Sequence, residues 1–406
     1  MNRSAVHIGY PSKRLQASML EPGEALERFG QAWEELSLNS DASTCFTMPG
    51  YFRHWWRVLS KGVETRVLVV TEGEHLLGVL PLVRAHVWRG PSCAPRVDYL
   101  PSDRPLAPRG YRFVPLRQLS TVASWPAVCL RPTLAVREPD RAAVAAAAAA
   151  AMTAQEDVDV IVLPVEEGPD AKAWMEGFYA AGLAPRLHRL HRSLYSLQHV
   201  KPFDDLVAGE SRNFRKNVRR ARAAAEEAGL DIDVVSGHGA VGAQLNEVAR
   251  VARESWKQGG RGSRGLPVPY EGRQQAFFES VIGDHQSGFE PVLATARQGG
   301  RSVAVLLALR QAAVLSALLI FRSEAIETGS PGLLLVGSLL DWGARNGVRR
   351  YDLNATQDWL RHISDTQGTL ANVVVFRPTF MGRAGATLSR LRRLDRLSPN
   401  SAEETA

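Results

Sequence analysis

The chain of 406 residues is 45% hydrophobic and 22% charged, the balance of an ordinary globular protein, so a wholly disordered chain is excluded. Its length suggests two or three domains, which can bury their cores without disulfides or a structural metal. A formal net charge of +7 favours anionic partners such as phosphates, nucleic acid or a membrane surface.

The three cysteines lie far apart in the sequence, so neither a disulfide framework nor a Cys-x-x-Cys zinc site is indicated. No segment has the apolar run of a signal peptide or approaches the ~20 apolar residues that a membrane span requires. The ten histidines show no ligand-like spacing, so we expect no metal site. These features predict a soluble, cytoplasmic protein.

The first half alternates helical and strand-like patterns. Residues 1–22 lack periodicity and are expected to form a disordered arm. Helical patterns in EALERFGQAWEELS and PGYFRHWWRVL precede a predicted hairpin of two apolar strands that turns at Gly73. The stretch 89–119, rich in Pro, Gly and Arg, is expected to be irregular. The alanine tract 141–154 predicts a helix, which leads to the strand DVDVIVLPV, the helix DAKAWMEGFYAAGL and a strand ending near Val200.

The second half opens with a basic helix, SRNFRKNVRRARAAAEEAG. Two helical stretches, GAQLNEVARVARESW and YEGRQQAFFESVIGDH, flank a loop rich in Gly and Arg. Three apolar strands joined by tight turns follow, from PVLATARQ to ALLIFR. The loop TGSPG, the helix LLLVGSLLDWGARNG and the strands RRYDLNA and NVVVFRP come next, and residues 381–406 are expected to form a flexible tail.

Both halves have the same order of elements: helices, an apolar hairpin, a helix, a strand and a closing strand. This order indicates an α+β protein built from two copies of one unit, each a mixed, mostly antiparallel sheet flanked by helices. We expect the first domain over residues 23–200 and the second over 201–380. Short apolar strands resemble one another by chance, so periodicity alone leaves the duplication open.

The loop after the third apolar strand is a candidate anion site. Ser330 and Pro331 occupy the N-cap and first-turn positions of the next helix, where these residue types are preferred. Flanking glycines let backbone N–H groups approach a ligand, and the helix dipole directs its positive end the same way. The alternative is an ordinary helix start. The matching helix of the first half begins at REPDRAAV, without glycine, so only the second half is predicted to hold a phosphate. The predicted contact residues are Arg322, Thr328, Gly329, Ser330 and Gly332.

Positive charge recurs at spacings of three and four along the basic helix. Arg215, Lys216 and Arg219 are predicted to bind an anionic group of a substrate or of tRNA, and the alternative is a solvated charged surface. Trp256 and Tyr270 bracket the Gly-rich loop and are candidates for the wall of an acceptor pocket; the alternative is that they are core residues.

Residues 313–355 resemble the coenzyme-binding core of the GNAT acyltransferase superfamily. The basic helix, ESWK, SPGLLL leading to RRYDLNA, and the aromatic FTMPGYFRHWW resemble more closely its two-unit branch, the CelD-like and FemAB-like acyltransferases, over roughly residues 25–378. The resemblance implies acetyl-CoA or another acyl-CoA as donor, with its pyrophosphate in the loop. It also implies N-acyl transfer, with acetyl as the first candidate, to an amine of a small-molecule sugar, amino acid or envelope precursor.

The same resemblance implies direct attack on the thioester, with strand-edge N–H groups on the carbonyl and a carboxylate, His or water chain taking the proton. Asp352, at the end of the strand RRYDLNA, is the candidate base or acceptor-orienting group, with Asn354 beside it. The alternative for Asp352 is a structural pairing with Arg349 or Arg350.

One departure from the family pattern concerns the segment that follows. Members commonly have a Gly-rich turn and a Tyr-Lys pair there, whereas this chain reads NATQDWLRHISD, so the role of that pair is not carried over. Arg361 and His362 lie near its place. Two other functions therefore stay open: a FemAB-like transferase that uses aminoacyl-tRNA, and a non-catalytic scaffold whose basic surface binds an anionic partner. No GxSxG elbow, Walker loop or GxGxxG favours a hydrolase, an NTPase or a dinucleotide enzyme.

Overall fold

The computed structural model describes residues 6–10, 13–40, 44–61, 63–89, 114–122, 134–255, 272–326, 330–355 and 357–395. Their strands form one 14-stranded sheet. The strands are β1 (Val6–Tyr10), β2 (Lys13–Leu20), β3 (Glu64–Glu72), β4 (His75–Arg89), β5 (Val114–Thr121), β6 (Ala135–Val136), β7 (Val160–Glu166), β8 (Arg186–Leu197), β9 (Leu230–Ser236), β10 (Glu290–Gln298), β11 (Arg301–Gln311), β12 (Val314–Arg322), β13 (Arg350–Asp352) and β14 (Thr366–Phe376).

Helices cover both faces of this sheet. They are α1 (Pro22–Leu38), α2 (Pro49–Leu59), α3 (Arg141–Thr153), α4 (Pro169–Ala180), α5 (Phe203–Ala208), α6 (Arg212–Glu227), α7 (His238–Gly242), α8 (Leu245–Arg253), α9 (Gly272–Gly283), α10 (Pro331–Arg345) and α11 (Phe380–Asp395). None of the described helices has the length and apolarity needed to span a bilayer. One core, common to both halves, lies under α1, α2, α8 and α9. On the opposite face, α3 and α4 cover the first half and α5, α6 and α10 cover the second.

The strand order is β1-β2-β3-β4-β5-β7-β14-β8-β13-β12-β11-β10-β9, with β6 also paired to β4. Two strand pairs are parallel among the described elements: β5 with β7 in the first half, and β12 with β13 in the second. Beside each parallel pair lies a strand from the other half, because β14 pairs with β7 and β8 pairs with β13. The two exchanged strands, β8 and β14, pair with each other at the centre.

This topology confirms the predicted α+β class and its two similar units. It adds that the units share one sheet and exchange their last strands, which the sequence pattern did not indicate. A division of the chain at residue 200 therefore separates β14 from the half whose strand β7 it joins. The proposed boundaries, 23–200 and 201–380, apply to segments of the chain and not to separable parts of the sheet.

The alanine tract forms α3, which lies unusually close to its neighbours. A Cβ atom at Gly177 of α4 would lie 2.9 Å from the carbonyl oxygen of Ala145. A Cβ atom at Gly78 of β4 would lie 2.3 Å from Cγ1 of Val144. Alanine therefore serves packing here as well as helix propensity, since larger side chains would push α3 away from both α4 and the sheet.

Three regions predicted to lack regular structure contain it: the arm 1–22, the stretch 89–119 and the start of the tail 381–406. In the expected arm 1–22, β2 pairs with β3 and buries Leu15 and Ala17. In the expected irregular stretch 89–119, residues 114–119 belong to β5, whose buried Gln118 and Ser120 hide the apolar pattern of a strand. Residues 90–113 lie outside the described residues.

The expected flexible tail begins with helix α11, which contacts the first half. Thr379 donates a hydrogen bond to Asp159 at 2.7 Å and accepts one from the backbone N–H of Gly382 at 3.0 Å. A Cβ atom at Gly382 would lie 2.3 Å from the carbonyl oxygen of Arg377. The arginine-rich composition suggested a solvated tail, but these tertiary contacts order the start of the helix.

Glycine-to-alanine substitution in two helices tests the close approach of α3 and α4. Gly177→Ala should lower the free energy of unfolding by about 1–3 kcal/mol because the added methyl group meets the backbone of α3. Gly30→Ala in α1 is the matched control, since a Cβ there has no neighbour within 4 Å. It should raise stability by about 0.5–1 kcal/mol through helix propensity. Urea unfolding measures both, and equal stability of the two variants would contradict the packing argument.

Candidate functional site

The second half contains a place where two parallel strands separate. Strands β12 and β13 pair only through Val314–Ser316 and Arg350–Asp352. Beyond Ser316, β12 continues to Arg322 along β11, and its other edge faces no further strand among the described elements. We call the opening between residues 317–322 and residues 353–355 the wedge. Open sheets bind ligands where adjacent strands diverge in this way.

Strand β12 is irregular beside the wedge. Leu307 pairs with Leu319, but Ala308 pairs with Ala317, so Leu318 is an extra residue in β12. Such a β-bulge bends a strand and redirects its backbone groups, and bulges are frequent next to binding and catalytic sites. The bulge therefore gives the edge of β12 that faces the wedge a local shape that a regular strand would lack.

Asp352 lies at the base of the wedge and is only 1% exposed. It is in register with Ser316 of β12 and Ser196 of β8, so these three polar side chains share one face of the sheet. The hydroxyl of Ser316 has no hydrogen-bond partner among the described residues. Sequence reasoning missed both serines, because their positions beside Asp352 depend on the strand register. The arrangement collects polar groups at the point of strand separation.

Asn354 connects the two sides of the wedge. Its backbone N–H donates a hydrogen bond to Oδ1 of Asp352 at 2.9 Å, and its side-chain Nδ2 donates one to the carbonyl oxygen of Ala317 at 3.1 Å. Its φ angle is 43°, in the left-handed region. The two predicted catalytic residues, Asp352 and Asn354, are thus brought together with the β12 edge.

Tyr351 precedes Asp352 and lies on the opposite face of the sheet, within the core under α10. Burial, and after it the charge of Asp352, raises the pKa of Tyr351 far above its usual range. Its hydroxyl has no hydrogen-bond partner among the described residues. Tyr351 therefore stays protonated at neutral pH and is not a candidate base.

The start of α10 differs from the expected capping geometry. Ser330 is the N-cap residue, but its backbone is left-handed (φ 43°, ψ 54°) and its hydroxyl makes no capping hydrogen bond. A Cβ atom at Gly332 would lie 3.3 Å from Cδ1 of Ile320, so glycine lets the first turn lie close to β12. Arg322 ends β12 and is half-buried. Thr328 and Gly329 lie outside the described residues.

The equivalent helix start in the first half carries carboxylates. Arg141, the first residue of α3, forms ion pairs with Glu138 at 2.7 Å and with Asp170 at 2.9 Å. Burial raises the pKa of Asp170, while its contact with Arg141 opposes the shift. Negative charge at a helix N-terminus competes with any further anion for the same N–H groups. The two halves thus differ in charge at the position where an anion site is predicted.

The basic helix α6 buries Phe214, Val218, Ala221 and Ala225. Ala221 and Ala225 pack against Leu334 of α10. The helical spacing therefore places Lys216 and Arg219, which are exposed, on the side of α6 that faces away from α10.

Arg215 has a local contact, since it donates a hydrogen bond to the carbonyl oxygen of Ala208 at 3.2 Å. The structure thus does not bring Arg215, Lys216 and Arg219 together with Asp352, and their role in substrate binding stays a prediction.

The ESWK motif begins beside the loop that leads to α10. Ser255 forms an isolated β-bridge with Ser323, the residue after β12, and the backbone N–H of Glu324 donates to the carbonyl oxygen of Glu254 at 3.1 Å. These bonds hold the end of α8 against the end of β12. Trp256 and Tyr270, the predicted aromatic wall, lie outside the described residues.

His362 occupies a position that the sequence did not indicate. Its Nδ1 lies 2.8 Å from Oε2 of Glu210, and its ring stacks on Phe214 with centroids 4.6 Å apart. These contacts place His362 with α5 and α6, on the opposite face from the side chain of Asp352. In the part of the chain that is described, no group of His, Cys, Asp and Glu side chains could hold a metal ion.

A buried histidine links the two halves on the face that Asp352 shares. Nε2 of His54 in α2 lies 2.8 Å from Oδ2 of Asp284, which follows α9. Burial holds the pKa of His54 below its usual value, and the hydrogen bond to Asp284 opposes the shift. The pKa of Asp284 is also lowered: burial alone would raise it, but hydrogen bonds from the backbone of Gln286 and from His54 outweigh burial.

The His54 contact predicts a pH-dependent stability. As the pH falls below about 6.5, the unfolded chain protonates this histidine before the folded chain does, so the free energy of unfolding should fall. His54→Gln keeps a donor for Asp284 and removes this titration. Urea unfolding between pH 7 and pH 5 should therefore show a smaller loss of stability in His54→Gln than in the natural protein. Equal losses would contradict the assignment of this pH dependence to His54. The pH range of the measurement lies above the range in which Asp284 titrates.

Known proteins resemble this chain in sequence over one segment and in fold over most of its length. Residues 212–359 match the acetyltransferase (GNAT) domain family, which confirms the resemblance predicted from the sequence. No curated protein matches the sequence. The segment matched includes α6, the wedge, Asp352 and Asn354, and the start of α10.

Two solved structures share the fold. The C-terminal DUF2156 domain of a lysylphosphatidylglycerol synthetase candidate from Agrobacterium fabrum is 12% identical, with a TM-score of 0.50, over 92% of this chain and 97% of that chain. FemX is 12% identical, with a TM-score of 0.50, over 84% and 95%. At this identity the likeness concerns the fold alone. A tandem GNAT protein from the clavulanic acid biosynthesis pathway is 14% identical over 90% and 99%, but its TM-score of 0.48 supports no argument.

Proposed function

We propose that this chain, whose residues 212–359 match the acetyltransferase (GNAT) domain family, is an acyl-CoA-dependent N-acyltransferase. The acceptor would be an amine of a sugar, amino acid or envelope precursor, and acetyl is the first acyl group to test. The observation that carries the proposal is the wedge between β12 and β13, with a buried carboxylate at its base and the start of α10 beyond the end of β12.

The proposed site divides into a donor side and an acceptor side. The backbone N–H of Gly332 at the positive end of the α10 dipole, together with Arg322, would hold the coenzyme's pyrophosphate. The acyl thioester would enter the wedge, where a backbone N–H beside the bulge of β12 would donate to its carbonyl oxygen. Such preorganised donors stabilise the negative charge that develops on this oxygen during acyl transfer.

On the acceptor side, the amine nitrogen would attack the thioester carbon. The new C–N bond forms, the C–S bond breaks, and the coenzyme leaves as a thiolate. Asp352 would accept the proton released by the amine, directly or through water, and that proton is then available to neutralise the thiolate. Ser316 and Ser196 lie in register with Asp352 and extend the polar surface on which an amine could bind.

A direct binding comparison tests the donor. Thermal unfolding and calorimetry should be run with acetyl-CoA, longer acyl-CoAs, free CoA and aminoacyl-tRNA. A ligand specific for the folded state should stabilise the protein by ~2.7 kcal/mol at a hundredfold excess over Kd. Thiol release with a panel of amino sugars and amino acids then identifies the acceptor.

Binding of aminoacyl-tRNA without acyl-CoA would overturn the proposal in favour of the FemAB-like alternative. The exposed cations of α6 are the feature that favours that alternative. If neither donor binds, a non-catalytic role on an anionic partner is the remaining alternative.

Substitutions of Gly332 test the donor side. Gly332→Asp adds a carboxylate to the first turn of α10, where it would repel a pyrophosphate, so acyl-CoA affinity should fall at least tenfold. Gly332→Ala is the control, because it adds the same Cβ beside Ile320 without charge. Calorimetry on the folded variants should show a much smaller loss for alanine. Equal affinity of the aspartate variant and the natural protein would mean that the ligand binds elsewhere.

Substitution of Asp352 tests the acceptor side. Asp352→Asn keeps an oxygen that can accept from the N–H of Asn354 but removes the base, so turnover should fall ~100-fold or more. Acyl-CoA affinity should change little. Asp365→Asn is the control, because this carboxylate also accepts a backbone N–H, that of Gln198 at 2.8 Å, and Asp365 precedes β14, which lies on the other side of β8 from β13. Full turnover in Asp352→Asn would exclude it as the base, and loss of fold would favour its structural alternative.

A further inference from the structure

Asn354 forms a cross-link at the point where β12 and β13 separate. The last paired residues of the two strands are Ser316 and Asp352, so Ala317 is the first residue of β12 whose outer edge lacks a paired strand. Its carbonyl oxygen accepts the Nδ2 hydrogen bond of Asn354 at 3.1 Å. The side-chain amide thus continues the ladder by one hydrogen bond after the strand pairing has ended.

The hydrogen bond falls next to the bulge of β12. Ala317 is the residue before the extra residue Leu318, so Asn354 holds β12 where its backbone changes direction. Asn354 itself is 6% exposed and is held by surrounding structure. Its hydrogen bonds are therefore largely shielded from water, and such bonds are stronger than hydrogen bonds on the surface.

The residue type suits this position for two reasons. The φ angle of 43° requires a residue that tolerates the left-handed region, and asparagine does so more readily than most non-glycine residues. Glycine would adopt this backbone equally well but has no side-chain amide. Asparagine therefore supplies the turn and the cross-link together, while its own N–H donates to Asp352 at 2.9 Å.

We infer that Asn354 is a positioning residue that sets the width of the wedge and holds Asp352 and the bulged edge of β12 in a fixed relation. It acts through these two groups and does not itself react. The inference rests on the proposed function, in which the thioester carbonyl binds at the edge of β12 and the amine acceptor binds at Asp352. The distance between these two groups would then affect the rate of acyl transfer. Misplacement of reacting groups by about 1 Å costs on the order of a hundredfold in rate.

Two variants remove the cross-link in different ways. Asn354→Gly keeps the backbone conformation and deletes the amide. Asn354→Asp keeps the size and places an acceptor oxygen against the carbonyl of Ala317. Asn346→Asp is the matched control, since Asn346 ends α10 and its Nδ2 donates to the carbonyl oxygen of Trp342 at 2.7 Å, outside the wedge.

The first measurement needs no ligand. Amide hydrogen exchange of a peptide covering residues 317–322 should be at least tenfold faster in both Asn354 variants than in the natural protein and in Asn346→Asp. Exchange in β10 should be unchanged. Equal exchange at 317–322 in all four proteins would overturn the inference, and so would global unfolding of both Asn354 variants, because the residue would then be needed for the fold as a whole.

The second measurement reports on the thioester without an acceptor. The infrared carbonyl stretch of bound [1-¹³C]acetyl-CoA should lie below its frequency in solution in the natural protein and return toward that frequency in both Asn354 variants. Their acetyl-CoA affinity should stay within about threefold, while turnover, once an acceptor is known, should fall by about 10–100-fold. An unchanged carbonyl frequency in the variants would overturn this inference and would leave the proposed function standing. Absence of acyl-CoA binding by the natural protein would instead overturn the proposed function, and with it the part of the inference that concerns the thioester.

Discussion

The antiparallel pairing of β8 with β14 is the interaction on which the rest of the structure depends. Each of these strands comes from one half of the chain and lies beside the parallel strand pair of the other half. The pairing therefore closes both half-sheets at once and makes a continuous sheet from one end of the molecule to the other. Both strands are buried here: Leu194 and Leu197 of β8 and Val373 and Val375 of β14 are at most 1% exposed.

The exchange has a direct consequence for the candidate site. Strand β13 is only three residues long and has β12 on one side and β8 on the other. Because β8 fixes one edge of β13, β12 can leave the other edge after Ser316, and the wedge can open without leaving Asp352 on an unsupported strand. The first half thus contributes a structural element to the candidate site of the second.

The two units share a plan but differ in the groups at equivalent helix starts. Helix α3 begins among carboxylates and lies tightly against α4, with Gly177 allowing the contact. Helix α10 begins with a left-handed Ser330 and with Gly332 close to β12. One helix start is thus occupied by internal ion pairs, and the first turn of the other contains no acidic side chain. The same fold supports a packing role in one unit and the proposed binding role in the other.

The sequence by itself determined the class of the fold, the order of most of its elements and the segment that carries the candidate site, because apolar periodicity, glycine turns and helix-start residues are local properties. It also singled out Asp352 and Asn354 at a strand end. Tertiary structure alone decided the strand exchange, the partners of β2 and β5, and the alignment of Ser316 and Ser196 with Asp352, because strand pairing depends on contacts between residues far apart in the chain. It likewise decided the bond from Asn354 to Ala317, since no local pattern encodes which carbonyl a side-chain amide will meet.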